Sequence, residues 1–118
     1  MGERLNLTRG GIYLAKLGPA KKSEIGKIRP VIILTAQRIL DVLPPLLFVC
    51  PLSSKSQPYY ANLHIKIIPR DKLLLTSYAL VEHCRSITTS RLDHSRLAQL
   101  KLDEIDLILH QLQRLVGL

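Results

Sequence analysis

Basic residues in the first third of the chain are the side chains whose types and spacing most directly suggest a chemistry. Residues 1–40 contain eight Lys and Arg but only two Asp and Glu, and so carry most of the net charge of +8. Arg29 lies where a charged segment interrupted by Gly and Pro, residues 17–28, meets the apolar run 31–34. Pro30 biases Arg29 toward an extended backbone. A guanidinium held at the start of a strand matches two phosphate oxygens, so we expect Arg29 to bind a phosphodiester.

The segment that precedes Arg29 offers further groups for binding an anion. Glu24 is near enough in sequence to orient the guanidinium, and flanking ammonium groups would attract phosphate. These lysines are Lys16, Lys21, Lys22 and Lys27. The alternative is a solvated loop, because runs of charged residues usually face water. The net charge favours an anionic partner, such as nucleic acid, an acidic protein or a membrane surface, without choosing among them.

Two other polar clusters are candidates for chemistry. Residues 53–56 read Ser-Ser-Lys-Ser after a predicted strand, and their hydroxyls can contact phosphate or a ribose hydroxyl, although serines in loops more often form turns. Residues 82–85 place an acid, an imidazole, a thiol and a guanidinium in a row. Because adjacent side chains on a strand face opposite ways, His83 and Cys84 are not expected to form a catalytic pair. A structural role or a dimer contact is favoured for this cluster.

The sequence lacks the patterns that hold metals and cofactors. It contains no His-x-x-x-His or Cys-x-x-Cys spacing, no Gly-rich phosphate loop, no nucleophile elbow and no dinucleotide fingerprint. We therefore expect neither a metal nor a cofactor. Cys50 and Cys84 lie within apolar stretches, which predicts buried free thiols in a reducing compartment, with one disulfide as the alternative.

Length and composition indicate one globular domain spanning residues 1–118. A chain of 118 residues with 47% hydrophobic and 22% charged residues has the usual size and composition of a single folded domain. The first ten residues are polar and do not resemble a signal peptide. The longest apolar run, residues 42–52, is too short to span a bilayer and contains three prolines. We expect a soluble, cytoplasmic protein that does not bind membranes.

Short strand patterns precede a single secure helix pattern. Strands are predicted at about 10–16, 31–34, 46–52, 63–67 and 77–88, the last being one long strand or two, with a helical turn at 37–42. Pro51 suggests that the third strand is an edge strand or carries a bulge. Apolar residues from Ile105 to Val116 recur at helical spacing, with Asp103 as the expected N-cap and Asp106 in the capping-box position. The result is an α+β or mainly β domain, a small curled antiparallel sheet with a C-terminal amphipathic helix.

Three segments, taken in order, resemble one known family. They read RGGIYLA at residues 9–15, SEIGKIRPVII at 23–33 and ALVEHCRSI at 79–87. Together they resemble the MazF/PemK toxins, and the second segment is the most specific. The family usually has Asp where this chain has Gly11, a departure that predicts a looser start of the first strand.

The resemblance implies a fold, a partner and an activity. The fold would be a small SH3-like antiparallel barrel with a C-terminal helix, in a homodimer. The protein would be the toxin of a toxin–antitoxin pair, held by an acidic, partly disordered antitoxin. Its activity would be a sequence-preferring endoribonuclease that cleaves single-stranded RNA, including mRNA, without a metal. The substrate's own 2′-OH would attack the phosphorus and leave 2′,3′-cyclic phosphate and 5′-OH ends.

The same resemblance assigns roles to particular residues. Arg29 matches the arginine that is central to catalysis, Glu24 its acidic companion, and Ser53 the second catalytic position after the third strand. Glu82 matches an acidic residue that some members use as an auxiliary group. The groups expected to hold flanking phosphates are Lys21, Lys22, Lys27, Ser54 and Lys55.

Two other functions remain compatible with the sequence. A CcdB-like toxin shares the barrel but acts by binding DNA gyrase, and a basic barrel could bind RNA without cleaving it. Arg29 and Ser53 separate the gyrase binder from a ribonuclease, because a gyrase binder needs neither. Salt-sensitive RNA binding without new ends would indicate the non-catalytic barrel.

Overall fold

The described part of the chain folds into an antiparallel sheet and a C-terminal helix. The structure is a computed structural model that describes residues 6–18, 27–56 and 58–118. Three predicted site residues, Lys21, Lys22 and Glu24, lie outside these ranges. The elements in chain order are β1 (Gly11–Lys16), β2 (Ile28–Ile33), α1 (Gln37–Leu40), β3 (Leu46–Ser53), β4 (Ile65–Ile67), β5 (Ser77–Ala79), β6 (Arg85–Thr88), β7 (Leu92–Gln99) and α2 (Leu102–Leu115). Short 3-10 turns occupy Pro58–Leu63, Val81–His83 and Thr89–Arg91.

The seven strands of this described region pair in the order β4-β5-β3-β2-β1-β7, and β6 also pairs with β3. Every pairing is antiparallel. The sheet curls into a half-barrel, and the hydrogen bond from Lys72 N–H to the Leu97 carbonyl (2.9 Å) ties the connection between β4 and β5 to β7. The predicted class, mainly β with a C-terminal helix on a small curled sheet, is confirmed.

Alternation along the strands builds a core on both sides of the sheet. On β2, Ile32 belongs to the cluster beneath α2, whereas Val31 and Ile33 belong to the cluster on the opposite face. All three side chains are fully buried, as the continuous apolar run predicts. Helix α2 covers the first cluster with Ile105 and Ile108. The sheet is therefore held from both faces, and the apolar pattern fixes which side chains point to which face.

Strand β3 is central, so the prediction that Pro51 marks an edge strand is wrong. The N-terminal half of β3 pairs with β6 as far as Val49, and its C-terminal end pairs with β5 from Leu52. Pro51 lies between these partners, and its carbonyl accepts a hydrogen bond from Leu80 N–H (2.9 Å) on that side. Because the N–H and C=O of one strand residue point the same way, the missing N–H falls in the gap between β5 and β6. The proline therefore removes no bond from either ladder.

Strand β7 was not predicted, so the expected count of five or six strands is wrong. Its sequence, LDHSRLAQ, is largely polar and exposed. Its register with β1 shifts twice, between Ile12 and Tyr13 and between Tyr13 and Ala15. The shift between Ile12 and Tyr13 is by one residue and changes which side chains of β7 share a face, which disrupts the alternation by which a strand is recognised.

The remaining strand and helix boundaries differ from the predicted ones because of local structure. The fourth strand is shorter than predicted because Leu63 belongs to a 3-10 turn, and residues 77–88 form two strands separated by Val81–His83. The predicted cap of α2 by Asp103 and Asp106 is wrong. The helix begins at Leu102 after Lys101, and Glu104 accepts the Lys101 N–H at 2.9 Å.

Glu104 also joins α2 to the sheet. Arg70 Nη1 and Nη2 donate to the two carboxylate oxygens of Glu104 at 2.5 and 2.7 Å. The hydrogen bonds from Arg70 lower the pKa of Glu104, and the bonds to Glu104 raise the pKa of Arg70. A carboxyl whose pKa is lowered by folding stabilises the fold above its ordinary titration range. That contribution is lost as the pH falls through the folded-state pKa.

We expect Glu104→Gln to lower the free energy of unfolding at neutral pH by about 1 kcal/mol, because the bidentate ion pair is lost at a partly exposed site. The difference from wild type should shrink as the solution is acidified. Urea unfolding followed by circular dichroism, at neutral and at acidic pH, measures this difference in the free energy of unfolding. Asp106→Asn, which removes an exposed carboxylate from the same helix, is the matched control. An equal loss in both variants at both pH values would contradict the assignment.

Candidate active site

A groove of about 620 Å³ opens where β2 begins and β3 ends. Its polar and charged lining consists of Lys27, Arg29, Ser53, Ser54, Lys72 and Ser77. Four of these residues are predicted site residues from two distant parts of the sequence, Lys27 and Arg29 from one and Ser53 and Ser54 from the other. The structure therefore brings the basic segment and the serine cluster together.

The register of β2 against β3 explains why Arg29 meets Ser53. The ladder pairs Ile33 with Val49 and Val31 with Pro51. Continued by two residues, the same register sets Arg29 opposite Ser53. Residues directly opposite in an antiparallel pair present their side chains on the same face. A guanidinium and a hydroxyl are thus presented together to one groove.

The other neighbours of Arg29 are also fixed by backbone pairing. Arg29 is paired with Ala15 on β1. Just before it, Leu17 N–H donates to the Lys27 carbonyl at 2.8 Å, and Lys27 N–H donates to the Gly18 carbonyl. Lys27 has a positive φ of 65°, an uncommon backbone conformation for a residue with a side chain. The base of the basic segment is therefore closed by hydrogen bonds on the side that lines the groove.

Ser53 is nearly buried, with 8% of its surface exposed. Its hydroxyl oxygen accepts the N–H of Lys55 at 3.1 Å, which forms a tight turn after β3. The hydroxyl retains its own proton for donation to a bound group. The serine cluster therefore forms the turn that its composition suggests and also places one hydroxyl in the groove.

Lys72 is a groove residue that the sequence analysis missed. It lies in the turn between β4 and β5, where Asp71 has a positive φ of 49° and Arg70 pairs with Leu73. Its backbone N–H is bound to Leu97 of β7. The position of Lys72 thus depends on a contact with the strand that was not predicted. The sequence around Lys72 by itself predicts only a turn.

One wall of the groove is apolar. Leu74 and Leu75 are 79% and 67% exposed, and Ile28 is also exposed, although all three line the groove. Adjacent leucines that expose most of their surface beside cationic side chains are unusual unless something packs against them. The groove can therefore accept an anion together with a flat or apolar group.

Other predicted residues lie elsewhere. Lys16 lines a second groove, of about 320 Å³, with Arg91 and Asp93, and Lys55 does not line the main groove. Glu82 also lies outside it. Residues 81–83 form a 3-10 turn, so the premise that 82–85 alternate as a strand is wrong. The Glu82 carboxylate contacts His64 Nε2 at 2.8 Å, and His64 Nδ1 contacts Ser56 Oγ at 2.9 Å.

The start of β1 accommodates Gly11. A Cβ built on Gly11 would lie 2.7 Å from both Thr8 Oγ1 and Tyr13 Cε1. The strand begins at Gly11 itself, and Gly11 N–H donates to the Thr8 carbonyl at 2.9 Å. The departure from the family pattern therefore coincides with close packing at the start of β1.

Both cysteines are free thiols, as predicted, but only Cys50 is fully buried, whereas Cys84 is half-buried. A hydrogen bond with the Cys84 side chain, together with burial, raises the pKa of the Cys50 thiol well above its ordinary value. Within residues 6–18, 27–56 and 58–118, no three His, Cys, Asp or Glu side chains are grouped so that they could hold a metal ion. No helix in the described part of the chain is long and apolar enough to cross a membrane.

Known proteins share this fold. A family model described as PemK-like, MazF-like toxin of type II toxin–antitoxin system matches residues 8–116. Toxin MazF-mt6 of Mycobacterium tuberculosis has a TM-score of 0.74 at 17% identity, over 92% of this chain and 97% of that chain. MazF of Deinococcus radiodurans has a TM-score of 0.73 at 23% identity, over 92% and 94%. A mycobacterial endoribonuclease in complex with its cognate antitoxin has a TM-score of 0.67 at 17% identity, over 93% and 92%.

A search of curated proteins gives no match to the sequence. At 17–23% identity, the structural likenesses by themselves show a common fold. The family model covers nearly the whole chain, including all three segments that carry the sequence resemblance. The chain therefore belongs to the family of PemK-like, MazF-like toxins of type II toxin–antitoxin systems.

Proposed function

We propose that this toxin is an endoribonuclease that cleaves single-stranded RNA in the groove between β2 and β3. The observation that carries the proposal is that Arg29 and Ser53 line one groove together with Lys27 and Lys72. A fixed guanidinium, a hydroxyl donor and two ammonium groups are the means of binding a phosphodiester and stabilising added negative charge on it. The endoribonuclease among the structural relatives supports the same reaction class.

The reaction uses the substrate's own nucleophile. The ribose 2′-OH gives up its proton as its oxygen bonds to the adjacent phosphorus, the bond from phosphorus to the 5′-oxygen breaks, and the 5′-oxygen takes up a proton, so that protons balance. The products are a 2′,3′-cyclic phosphate and a 5′-OH end. This sequence of bond changes consumes no cofactor and needs no metal-bound water.

Arg29 stabilises the charge that develops on the phosphate oxygens. A guanidinium remains protonated in proteins, so its contribution is electrostatic and directional. Ser53 donates its hydroxyl proton to a phosphate oxygen or orients the 2′-OH. Glu24, which lies outside the described residues, remains a predicted partner that orients the guanidinium. The proposed catalytic set is thus Arg29, Ser53 and Glu24.

The rest of the groove supports RNA rather than a small anion. Lys27 and Lys72 hold phosphates on either side of the cleaved bond, and the exposed faces of Leu74 and Leu75 pack against an unstacked base. Such packing needs a nucleotide free to splay, which favours single strands over duplex RNA. Predicted contacts from Lys21, Lys22, Ser54 and Lys55 would extend the phosphate path.

The partners follow from the same surface. An acidic antitoxin segment would compete with RNA for the cationic groove, and the structural relatives include one solved with its cognate antitoxin. We further propose that the toxin is a homodimer that acts in the cytoplasm. Its cleavage should favour a short sequence, because the groove contacts only a few nucleotides.

Arg29→Ala should reduce the cleavage rate at least about a hundredfold, because it removes the main charge at the developing anion. Purified protein is incubated with a long single-stranded RNA in excess EDTA, and the new ends are mapped and tested for cyclic phosphate. Arg38→Ala, which removes an exposed guanidinium from α1, is the matched control and should cleave like wild type.

Three results would reject the proposal. Intact RNA after incubation with folded wild-type protein would turn attention to gyrase inhibition. RNA binding without new ends would indicate a non-catalytic barrel. Equal cleavage by the Arg29 and Arg38 variants would remove Arg29 from the site.

Ser53→Ala should lower kcat by about tenfold to a hundredfold with a smaller change in KM, since a donor used in the transition state is lost. Ser53→Thr keeps the hydroxyl and should recover much of the activity. Steady-state kinetics on a short fluorogenic RNA separates the two constants. If Thr were as inactive as Ala, packing at this nearly buried site, not the hydroxyl, would explain the loss.

Lys72→Gln should weaken RNA binding and reduce the slope of log Kd against log salt by about 0.7, the value for one phosphate contact on a single strand. The measurement uses fluorescence anisotropy with a 2′-O-methylated RNA, which lacks the attacking hydroxyl and so is not cut. Lys66→Gln on β4 removes an exposed lysine that does not line the groove and should leave the slope unchanged. Equal slopes for both variants would place Lys72 outside the RNA path.

A further inference from the structure

A chain of three hydrogen-bonded side chains lies next to the groove without lining it. Ser56 Oγ contacts His64 Nδ1 at 2.9 Å, and His64 Nε2 contacts both oxygens of Glu82 at 2.8 Å. The side chains of His64 and Glu82 are only 1% and 8% exposed, whereas Ser56 is exposed. A buried imidazole and carboxylate therefore present one polar atom to a surface loop.

The chemistry of the three groups fixes the direction of the hydrogen bonds. An ionised carboxylate only accepts, so His64 Nε2 must carry the proton and donate it to Glu82. In the neutral ring, Nδ1 is then an acceptor, and Ser56 donates its hydroxyl proton. In a doubly protonated ring, Nδ1 donates to Ser56 Oγ instead. The link to Ser56 survives in either state of the ring.

Within this hydrogen-bonded series, His64 and Glu82 are held by the surrounding protein core. His64 lies between the turn Pro58–Leu63 and β4, and its N–H donates to the Ala61 carbonyl at 3.2 Å. Glu82 belongs to the turn Val81–His83, which packs against α2 and β3. His83 Nε2 lies 3.9 Å from the same carboxylate, and the Cys50 thiol is close enough for the Glu82 charge to contribute to its raised pKa. The carboxylate is thus enclosed and bound mainly through His64.

The other end of the chain reaches the turn that carries Ser53. The Ser53 hydroxyl accepts the Lys55 N–H, and Ser56 is the next residue. The turn is therefore tied at both ends, by the pairing of Ser53 with Tyr78 of β5 and by the contact of Ser56 with His64. Without the second tie, the exposed polar residues 54–56 have little apolar surface to hold them in place.

We propose that His64 and Glu82 are positioning residues that fix Ser56 and thereby hold the 53–56 turn in the geometry that presents the Ser53 hydroxyl to the phosphodiester. This inference rests on the proposed function of Ser53. It gives the acid of the third family segment a role at a distance, since Glu82 contacts His64 and does not line the groove.

Ser56→Ala is the primary test, because it removes one exposed hydroxyl and leaves the buried pair intact. We expect an unchanged melting temperature, about tenfold faster amide exchange at Lys55, and a kcat about tenfold lower with KM within about twofold, as for a displaced catalytic group. Amide exchange is measured by NMR on the full chain without RNA. Ser95→Ala, an exposed serine on β7, is the matched control and should change none of these values.

A pair of His64 variants separates the two contacts. The amide of Gln reaches the position of Nε2 and keeps the bond to Glu82, so His64→Gln should behave like Ser56→Ala in exchange and kcat. The amide of Asn reaches only the position of Nδ1, so His64→Asn should keep Lys55 better protected but lower the melting temperature by leaving Glu82 unpaired. His110→Gln, at an exposed histidine of α2, controls for the change of residue type.

The outcomes distinguish the two proposals. Unchanged Lys55 exchange and kcat in Ser56→Ala overturn the positioning role even if the wild type cleaves RNA. A raised KM with unchanged kcat also overturns it, because Ser56 would then contact the RNA directly. Faster Lys55 exchange in Ser56→Ala, combined with a wild-type protein that does not cleave RNA, supports the tether between His64 and the turn while rejecting the proposed function.

Discussion

The antiparallel register of β2 on β3 is the constraint on which the groove depends. A slip of one residue would move every side chain of one strand to the other face. The slip is opposed on both sides of the sheet, because Val31 and Ile33 pack into one core cluster and Ile32 into the other. The same apolar run therefore holds the sheet together and sets Arg29 opposite Ser53. Stability and the geometry of the site have a common origin in residues that never touch a substrate.

The change of partner along β3 explains why the site forms at its C-terminal end. β3 leaves β6 after Val49 and joins β5 at Leu52, and Pro51 is tolerated between them. Beyond Ser53 the strand has no further partner in its ladders, so the chain turns and exposes the serine cluster. The connection from β5 to β6 crosses the same gap as the turn Val81–His83, which brings Glu82 toward His64. A single interruption of the sheet thus creates both the turn and its support.

The predictable parts of the site are those encoded by neighbours in sequence. Arg29 could be identified because Pro30 and a fully buried run follow it, and Ser53 because it ends an apolar strand. Lys72 could not, since its place depends on the hydrogen bond to β7, whose own pattern is disrupted by register shifts. The partnership of His64 with Glu82 joins residues separated by two strands, β4 and β5, and the turn between them. The start of α2 was misplaced because Glu104 has partners in Arg70 and Lys101 N–H that local spacing does not reveal.

The positions of Glu82 and Glu104 favour a positive electrostatic potential in the groove. Glu82 and Glu104 are each engaged away from the groove, one by an imidazole and the other by a bidentate guanidinium. Among the described residues that line the groove, the charged side chains are Lys27, Arg29 and Lys72, and none is acidic. An anion that enters therefore meets the cationic side chains of Lys27, Arg29 and Lys72, beside leucine surfaces that attract apolar groups. Under the proposed function, RNA and an acidic antitoxin segment satisfy the same two requirements, so occupation of one groove is sufficient for inhibition and no change of fold is needed.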